Sequence, residues 1–145
     1  LMVRPRPLAD DAMPSGNAVA VEALLGLAML TGERVWQDAA QRAVRAAWSA
    51  LEQTPHAHVG LLEGLRQVLA PPEHLLIRGE PADIAAWQRA AGDAYIPARS
   101  VFAVPAQASD LPAGLEAKRA APGRTLGYRC VGTHCEPPFD SPDLL

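Results

Sequence analysis

Apolar positions recur with helical spacing through the first half of the chain. After Pro14-Ser15-Gly16-Asn17, the residues Val19, Val21, Leu24, Leu25, Leu27, Ala28 and Leu30 form a broad apolar face that stops at Thr31-Gly32, which predicts a first helix. Glu22 is its only ionised side chain, and a helix that is apolar nearly all round should be buried on more than one side. Beyond the turn Thr31-Gly32-Glu33, the residues Val35, Trp36, Ala39, Ala40, Ala43, Val44, Ala46, Ala47 and Leu51 trace a second helix. Its other side carries Arg34, Asp38, Gln41, Arg42 and Arg45. A turn this short predicts an antiparallel helical hairpin. A break at Thr54-Pro55 then precedes a third helix, Val59 to Leu69, ended by Pro71-Pro72.

The pattern changes after Pro72. His74 to Gly79 is a short apolar run closed by glycine, Pro81 to Ala91 has helical spacing with proline at its start, and Ser100 to Val104 is a second apolar run. Strand, helix and strand within so short a stretch predict a βαβ unit with parallel strands and a right-handed crossover. A weaker helical pattern covers Leu111 to Arg119, and Thr125 to Val131 alternates as a last strand with Leu126, Tyr128 and Cys130 on one face. Ser141-Pro142 has the form of a capped first helical turn. The expected fold class is mixed α and β, a helical segment (1–71) followed by a small α/β subdomain (72–145), with a loop from Leu1 to Met13 leading in.

With 145 residues, 49% of them hydrophobic and 20% charged, the chain can bury a core without needing disulfides. A net charge of -3 argues against nucleic acid as a partner, and no run is long enough to span a membrane. Lys118 is the sole lysine among 13 basic residues, which suits a high-GC bacterial genome. The start lacks a secretory pattern, so a cytoplasmic protein is expected.

Chemistry-bearing residues are few. Cys130 and Cys135 form C-x4-C, which is neither a thioredoxin-type C-x2-C nor half of a usual zinc site, so in a reducing cytosol two free, metal-free thiols are expected. A redox or disulfide pair is the alternative, and a zinc site would have to recruit His134 and His74. His56 and His58 flank Ala57 in a loop and are expected to be solvated, with His74 at a strand boundary. The Gly79 turn could offer N–H groups to an anion, yet Arg78-Gly79-Glu80-Pro81 lacks a G-x-G-x-x-G pattern, so a nucleotide site is not expected. Asp10, Asp11, Ser15, Gly16 and Asn17 cluster at the mouth of the least polar helix, where capping is the first explanation. Asn17 could instead be aimed into a cavity, which makes Asp10, Ser15 and Asn17 the candidate substrate-binding residues. No catalytic residue, cofactor or metal ligand set is assigned.

These same residues carry a resemblance. Leu1-Met2-Val3-Arg4-Pro5-Arg6, Asp10, Pro14-Ser15-Gly16-Asn17-Ala18-Val19-Ala20, Leu24-Leu25-x-Leu27 and Leu30-Thr31-Gly32 resemble the late part of the bacterial YyaL-type thioredoxin-domain proteins, relatives of the spermatogenesis-associated thioredoxin-like proteins. Tyr128-x-Cys130 with Cys135 and Pro137 is similar to that family's terminal segment, and the run His74 to Gly79 sits where the family has a strand. The resemblance implies the C-terminal portion of a longer protein, with a thioredoxin-like domain upstream and an α/α-barrel similar to glycosidases and N-acylglucosamine 2-epimerases. Residues 1–71 would then end the barrel.

Three functional expectations follow. The first is a non-catalytic fragment whose partners are the upstream domains of the same protein. The second is a carbohydrate-binding, epimerase-like or glycosidase-like role. The third is a platform for the upstream redox domain. In the similar epimerases a histidine follows a Pro-Gly pair at a comparable helix start; here Asn17 stands in that place, and an amide cannot shuttle a proton as imidazole does. Asp11 also replaces the family's usual glycine. Sugar-stacking aromatics are limited to Trp36, Trp48 and Trp87, at least two of them expected in the core. Without its barrel neighbours the first helix should expose an apolar patch, so a homo-oligomer through Val19, Val21, Leu24, Leu25 and Ala28 is expected.

Overall fold

The computed structural model describes residues 6–93 and 96–145, so the stretch Leu1 to Pro5 of the resemblance lies outside the described residues. The fold is mixed α and β, and it divides into two compact units. One holds the chain up to Ala28 together with Glu33–Pro71; the other holds Met29–Gly32 and Pro72–Leu145.

The helical unit contains α1 (Gly16–Thr31) as far as Ala28, with α2 (Arg34–Ala46), α3 (Trp48–Gln53) and α4 (Val59–Leu69). Its core draws Ala18, Val21 and Leu25 from α1, residues spaced three and four apart and therefore on one helical stripe. Ala40, Val44, Ala47, Leu51 and Leu61 meet them, and Leu61 is wholly buried. Two glycines one turn apart make α1 and α4 approach closely. A Cβ at Gly60 would lie 2.8 Å from that of Ala18, and one at Gly64 would lie 2.6 Å from Val21 Cγ1.

Burial of α1 corrects the expectation of a helix covered on several sides. Val19 is 52% exposed and Leu27 40% exposed, whereas Val21 and Leu25 are core residues. The expected self-association face therefore cannot consist of Val21 and Leu25, because the stripe they share with Ala18 is already packed within the unit. The second predicted helix is also interrupted. At Ala47 the N–H is shared between the carbonyls of Ala43 and Val44, at 3.2 and 3.1 Å, and the backbone tightens before α3 restarts. Nothing in the side-chain pattern distinguishes Ala47 from the alanines beside it.

The second unit is a four-stranded sheet with β1 (Glu73–Gly79), β2 (Ser100–Pro105), β3 (Leu126–Val131) and β4 (His134–Cys135) in the order β2-β1-β3-β4. Strands β1 and β2 are parallel, joined through α5 (Pro81–Asp93), as the βαβ pattern predicts. Strand β3 runs antiparallel to β1, with Leu75 opposite Arg129 and Leu76 opposite Tyr128. Helix α5 covers the face that carries Leu75 and Ile77, burying Ile84, Trp87 and Ala91 there. Trp87 and Phe139 stack with centroids 5.8 Å apart. Gly127 makes room for them, since a Cβ there would meet Phe139 Cζ at 2.4 Å and Trp87 Cζ3 at 2.9 Å. Gly79 has the same role toward Thr125, whose Oγ1 would be 2.0 Å from an added Cβ.

The weak helical pattern at Leu111 to Arg119 yields only one turn, α6 (Ala113–Glu116). Pro112 has no N–H to donate and can only lead a helix. Strand β4 was not expected from the sequence. Its signal is the pair Gly132-Thr133, a two-residue connection with positive φ at the glycine, the position a hairpin turn reserves for that residue. Near the end, Ser141 Oγ accepts from the Asp143 N–H at 3.2 Å and caps a single 3-10 turn, Pro142–Leu144. Among the described residues no helix is long and apolar enough to cross a membrane.

Candidate functional site

The polar cluster at the mouth of α1 is organised around Asp10. Its Oδ1 accepts from the Ser15 N–H at 2.8 Å and its Oδ2 from the Gly60 N–H at 2.7 Å, so one carboxylate holds the starts of α1 and α4. The Asp10 N–H donates in turn to the Ala57 carbonyl at 2.8 Å. Ser15 is the N-cap of α1, its Oγ accepting from the Ala18 N–H at 3.2 Å. The bond from Gly60, then that from Ser15, holds the Asp10 carboxyl below the usual carboxylate range, with a smaller contribution from nearby His58. Asn17 Nδ2 donates to the Pro7 carbonyl at 2.8 Å, so this amide ties the leading loop to the helix. The structure thus brings Asp10 and Ser15 together as caps, and it gives Asn17 a backbone partner where the sequence left a cavity open as an alternative.

Two histidines depart from expectation. His58 is 5% exposed, with Nδ1 hydrogen bonded to the Thr54 carbonyl at 2.8 Å, because Pro55–Ala57 forms a 3-10 turn that folds the ring inward. His74 is 3% exposed and is paired on both sides, opposite Ser100 of β2 and Cys130 of β3, so it lies within an interior strand rather than at its boundary.

The cysteine expectation is overturned. Cys130 and Cys135 form a disulfide. They occupy directly opposed positions on β3 and β4, where the tight Gly132-Thr133 turn sets their Cα atoms 4.0 Å apart. Cys130 is buried and Cys135 half-exposed. Bonded sulfurs cannot serve as thiolate ligands, and among the described residues no group of His, Cys, Asp or Glu is arranged to hold a metal ion.

The sheet face opposite α5 holds groups that sequence reasoning missed. Alternation along β1 places His74, Leu76 and Arg78 there, and the register adds Tyr128 and Cys130 of β3. Arg78 is 3% exposed, and among the described residues its Nε and Nη1 have no hydrogen-bond partner. The buried Nδ1 of His74 has none either. Lys118 Nζ donates to the Gly114 carbonyl at 2.9 Å, and the Tyr128 hydroxyl donates to the Arg119 carbonyl at 2.6 Å. Burial, and then the neighbouring Lys118 charge, pushes the His74 pKa down, with the Glu73 charge opposing the fall. Burial lowers that of Lys118 as well and raises that of Tyr128, where Arg78 opposes the rise. The available signal was an arginine inside an apolar run, Leu75-Leu76-Ile77-Arg78, which puts a guanidinium on the same strand as core residues.

A groove of about 400 Å³ in the helical unit is lined by Val44, Trp48, Leu65, Val68 and Leu69 with Gln41 and Arg45. Trp48 is 48% exposed and Trp36 is only partly buried, so Trp87 alone of the three tryptophans is a core residue, one fewer than expected. No protein-family model, no curated protein and no solved structure matches this chain.

Proposed function

We propose that this chain is the C-terminal portion of a thioredoxin-domain protein of the YyaL type and that it is a non-catalytic scaffold, partnered by the upstream domains of the same protein. The observation that supports this reading is the use of the Asp10 carboxylate: each oxygen is engaged by a helix-start N–H, and Ser15 and Asn17 are engaged beside it. A carboxylate held below its usual pKa by two backbone donors is a poor proton carrier at neutral pH. The carbohydrate reading draws no support from these three residues. Purified chain is expected to turn over neither an N-acylhexosamine nor a glycoside; turnover abolished by Asp10→Asn in a folded variant would overturn the scaffold reading.

A second reading is favoured by the disulfide. In a cytoplasmic protein a persistent disulfide is unusual, and those that occur are mostly redox-active. Cys130–Cys135 then serves as the substrate couple of a thioredoxin-like dithiol. A partner thiolate attacks the half-exposed Cys135 sulfur, the S–S bond breaks with its electron pair leaving on Cys130, and Cys130 takes a proton. The partner's second thiolate then attacks the mixed disulfide and releases Cys135 as a thiol after protonation. The partner is oxidised by two electrons and the chain reduced by two. Alkylation and mass measurement after incubation with a reduced thioredoxin should show two new free thiols per chain. An unchanged mass at equilibrium would overturn this second reading and leave the scaffold reading standing.

A further inference from the structure

A guanidinium is a permanent cation in proteins, and Arg78 places one inside the sheet unit. Removing such a charge from water is costly unless an opposite charge or a full set of acceptors replaces the solvent. Neither is present: Arg78 is 3% exposed, its Nε and Nη1 lack acceptors, and among the described residues it forms no ion pair. Four carboxylates of this unit are engaged elsewhere. Glu73 pairs with Arg99 at 2.6 Å, Asp83 accepts from Thr125 at 3.0 Å, Glu80 accepts from Gln107 at 2.7 Å, and Glu116 pairs with Arg119.

Further donors share the surroundings. His74 lies on the same face with an orphaned Nδ1, the Lys118 charge acts on His74, and the Arg78 charge acts on Tyr128. Lys118 and Tyr128 are half-buried, so solvent reaches the cluster at these two side chains. The cluster therefore combines a desolvated cation, a second cation on a flexible stem, a hydroxyl and an imidazole; the Glu73 charge acts on His74 as well, but among the described residues no carboxylate is paired to Arg78 or Lys118.

We propose that this sheet face is an oxyanion-binding site, centred on Arg78 and bordered by His74, Lys118 and Tyr128, for a small molecule bearing a phosphate or carboxylate group. Both ligand groups supply what the guanidinium lacks, a charged planar or tetrahedral set of acceptors. The site is independent of the Asp10 cluster and of the redox reading of the disulfide.

The test uses the whole chain, in thermal unfolding at constant ionic strength with sodium phosphate, sodium acetate or sodium chloride. Phosphate or acetate should raise Tm saturably while chloride does not, since a ligand that binds only the folded state stabilises it by mass action. Whichever of the two raises Tm identifies the ligand group. Arg78→Met should weaken the apparent affinity by about tenfold or more, corresponding to about 1.4 kcal/mol. Arg42→Met, an exposed site on α2, should leave it unchanged. Equal responses to all three salts, or an undiminished response in Arg78→Met, would overturn the site. Should Arg78→Met fail to fold, the Nε–H resonance of Arg78 in the native chain decides: movement on addition of the effective anion supports the site, and a fixed resonance overturns it.

Discussion

In the helical unit, the polar cluster at the start of α1 is matched to backbone donors and acceptors: Asp10 to Ser15 and Gly60, Ser15 to Ala18, Asn17 to Pro7. The sheet unit instead buries Arg78 and His74 with nitrogen atoms that have no partner among the described residues. The difference separates two meanings of a polar residue set within a fold. A matched group contributes to stability and is explained by the fold alone. An unmatched cation raises the free energy of the fold, and its presence points to something the fold does not contain.

Opposite signs are the sharpest way to break this comparison. Asp10→Ala should destabilise the chain by about 2–3 kcal/mol, because it removes two charge-assisted bonds and leaves two helix starts without their acceptor. Denaturant unfolding measures it, and a change below about 0.5 kcal/mol would show that water replaces the carboxylate without loss.

Next in size is the disulfide. Replacing both cysteines by serine should cost about 2 kcal/mol on loop-closure grounds for so short a loop. The effect should appear as earlier loss of β4 amide protection in hydrogen exchange, with the helical unit unaffected.

Arg78→Met should move the other way, stabilising the chain by about 1–2 kcal/mol in buffer free of phosphate and carboxylate, since an unpaired buried charge is exchanged for an apolar side chain of similar length. A loss of stability of that size would mean that the guanidinium is matched after all.

The smallest effect is a pair of pH windows. The Asp10 pKa is depressed on folding, so its contribution is complete above the unfolded value, about 3.9, and is lost as pH falls through the folded value. The His74 pKa is depressed as well; the unfolded chain binds a proton first as pH falls below about 6.5, and stability declines from there toward the folded value. Asp10→Asn should flatten only the lower window and His74→Phe only the upper one.

Much of the fold was legible because its signals are local. Apolar spacing marks α1, α4 and the β1-α5-β2 unit, prolines and glycines punctuate them, and Ser15 announces itself as a cap within three residues of its partner. The candidate site was legible only in part. Asp10 and Ser15 were recognised as helix-start residues, but the Gly60 N–H that Asp10 also holds lies 50 residues away in sequence. Arg78 reads from the sequence only as part of the turn Arg78-Gly79-Glu80-Pro81, because one arginine at the end of an apolar run looks like a strand terminus, and its burial depends on segments distant in the chain.

By itself, then, the sequence determined which stretches are helical or extended, where each stops, and which side chains suit a helix start; these follow from steric and hydrogen-bonding preferences acting over a few residues. Tertiary structure decided the rest. The antiparallel insertion of β3 between β1 and β4, the bonding of Cys130 to Cys135, the inward turn of His58 and the desolvation of His74 and Arg78 all depend on which distant segment comes to lie alongside. Burial and register are properties of pairs of segments, and the free energy of a charge or a thiol changes more with those than with the identity of its neighbours in sequence.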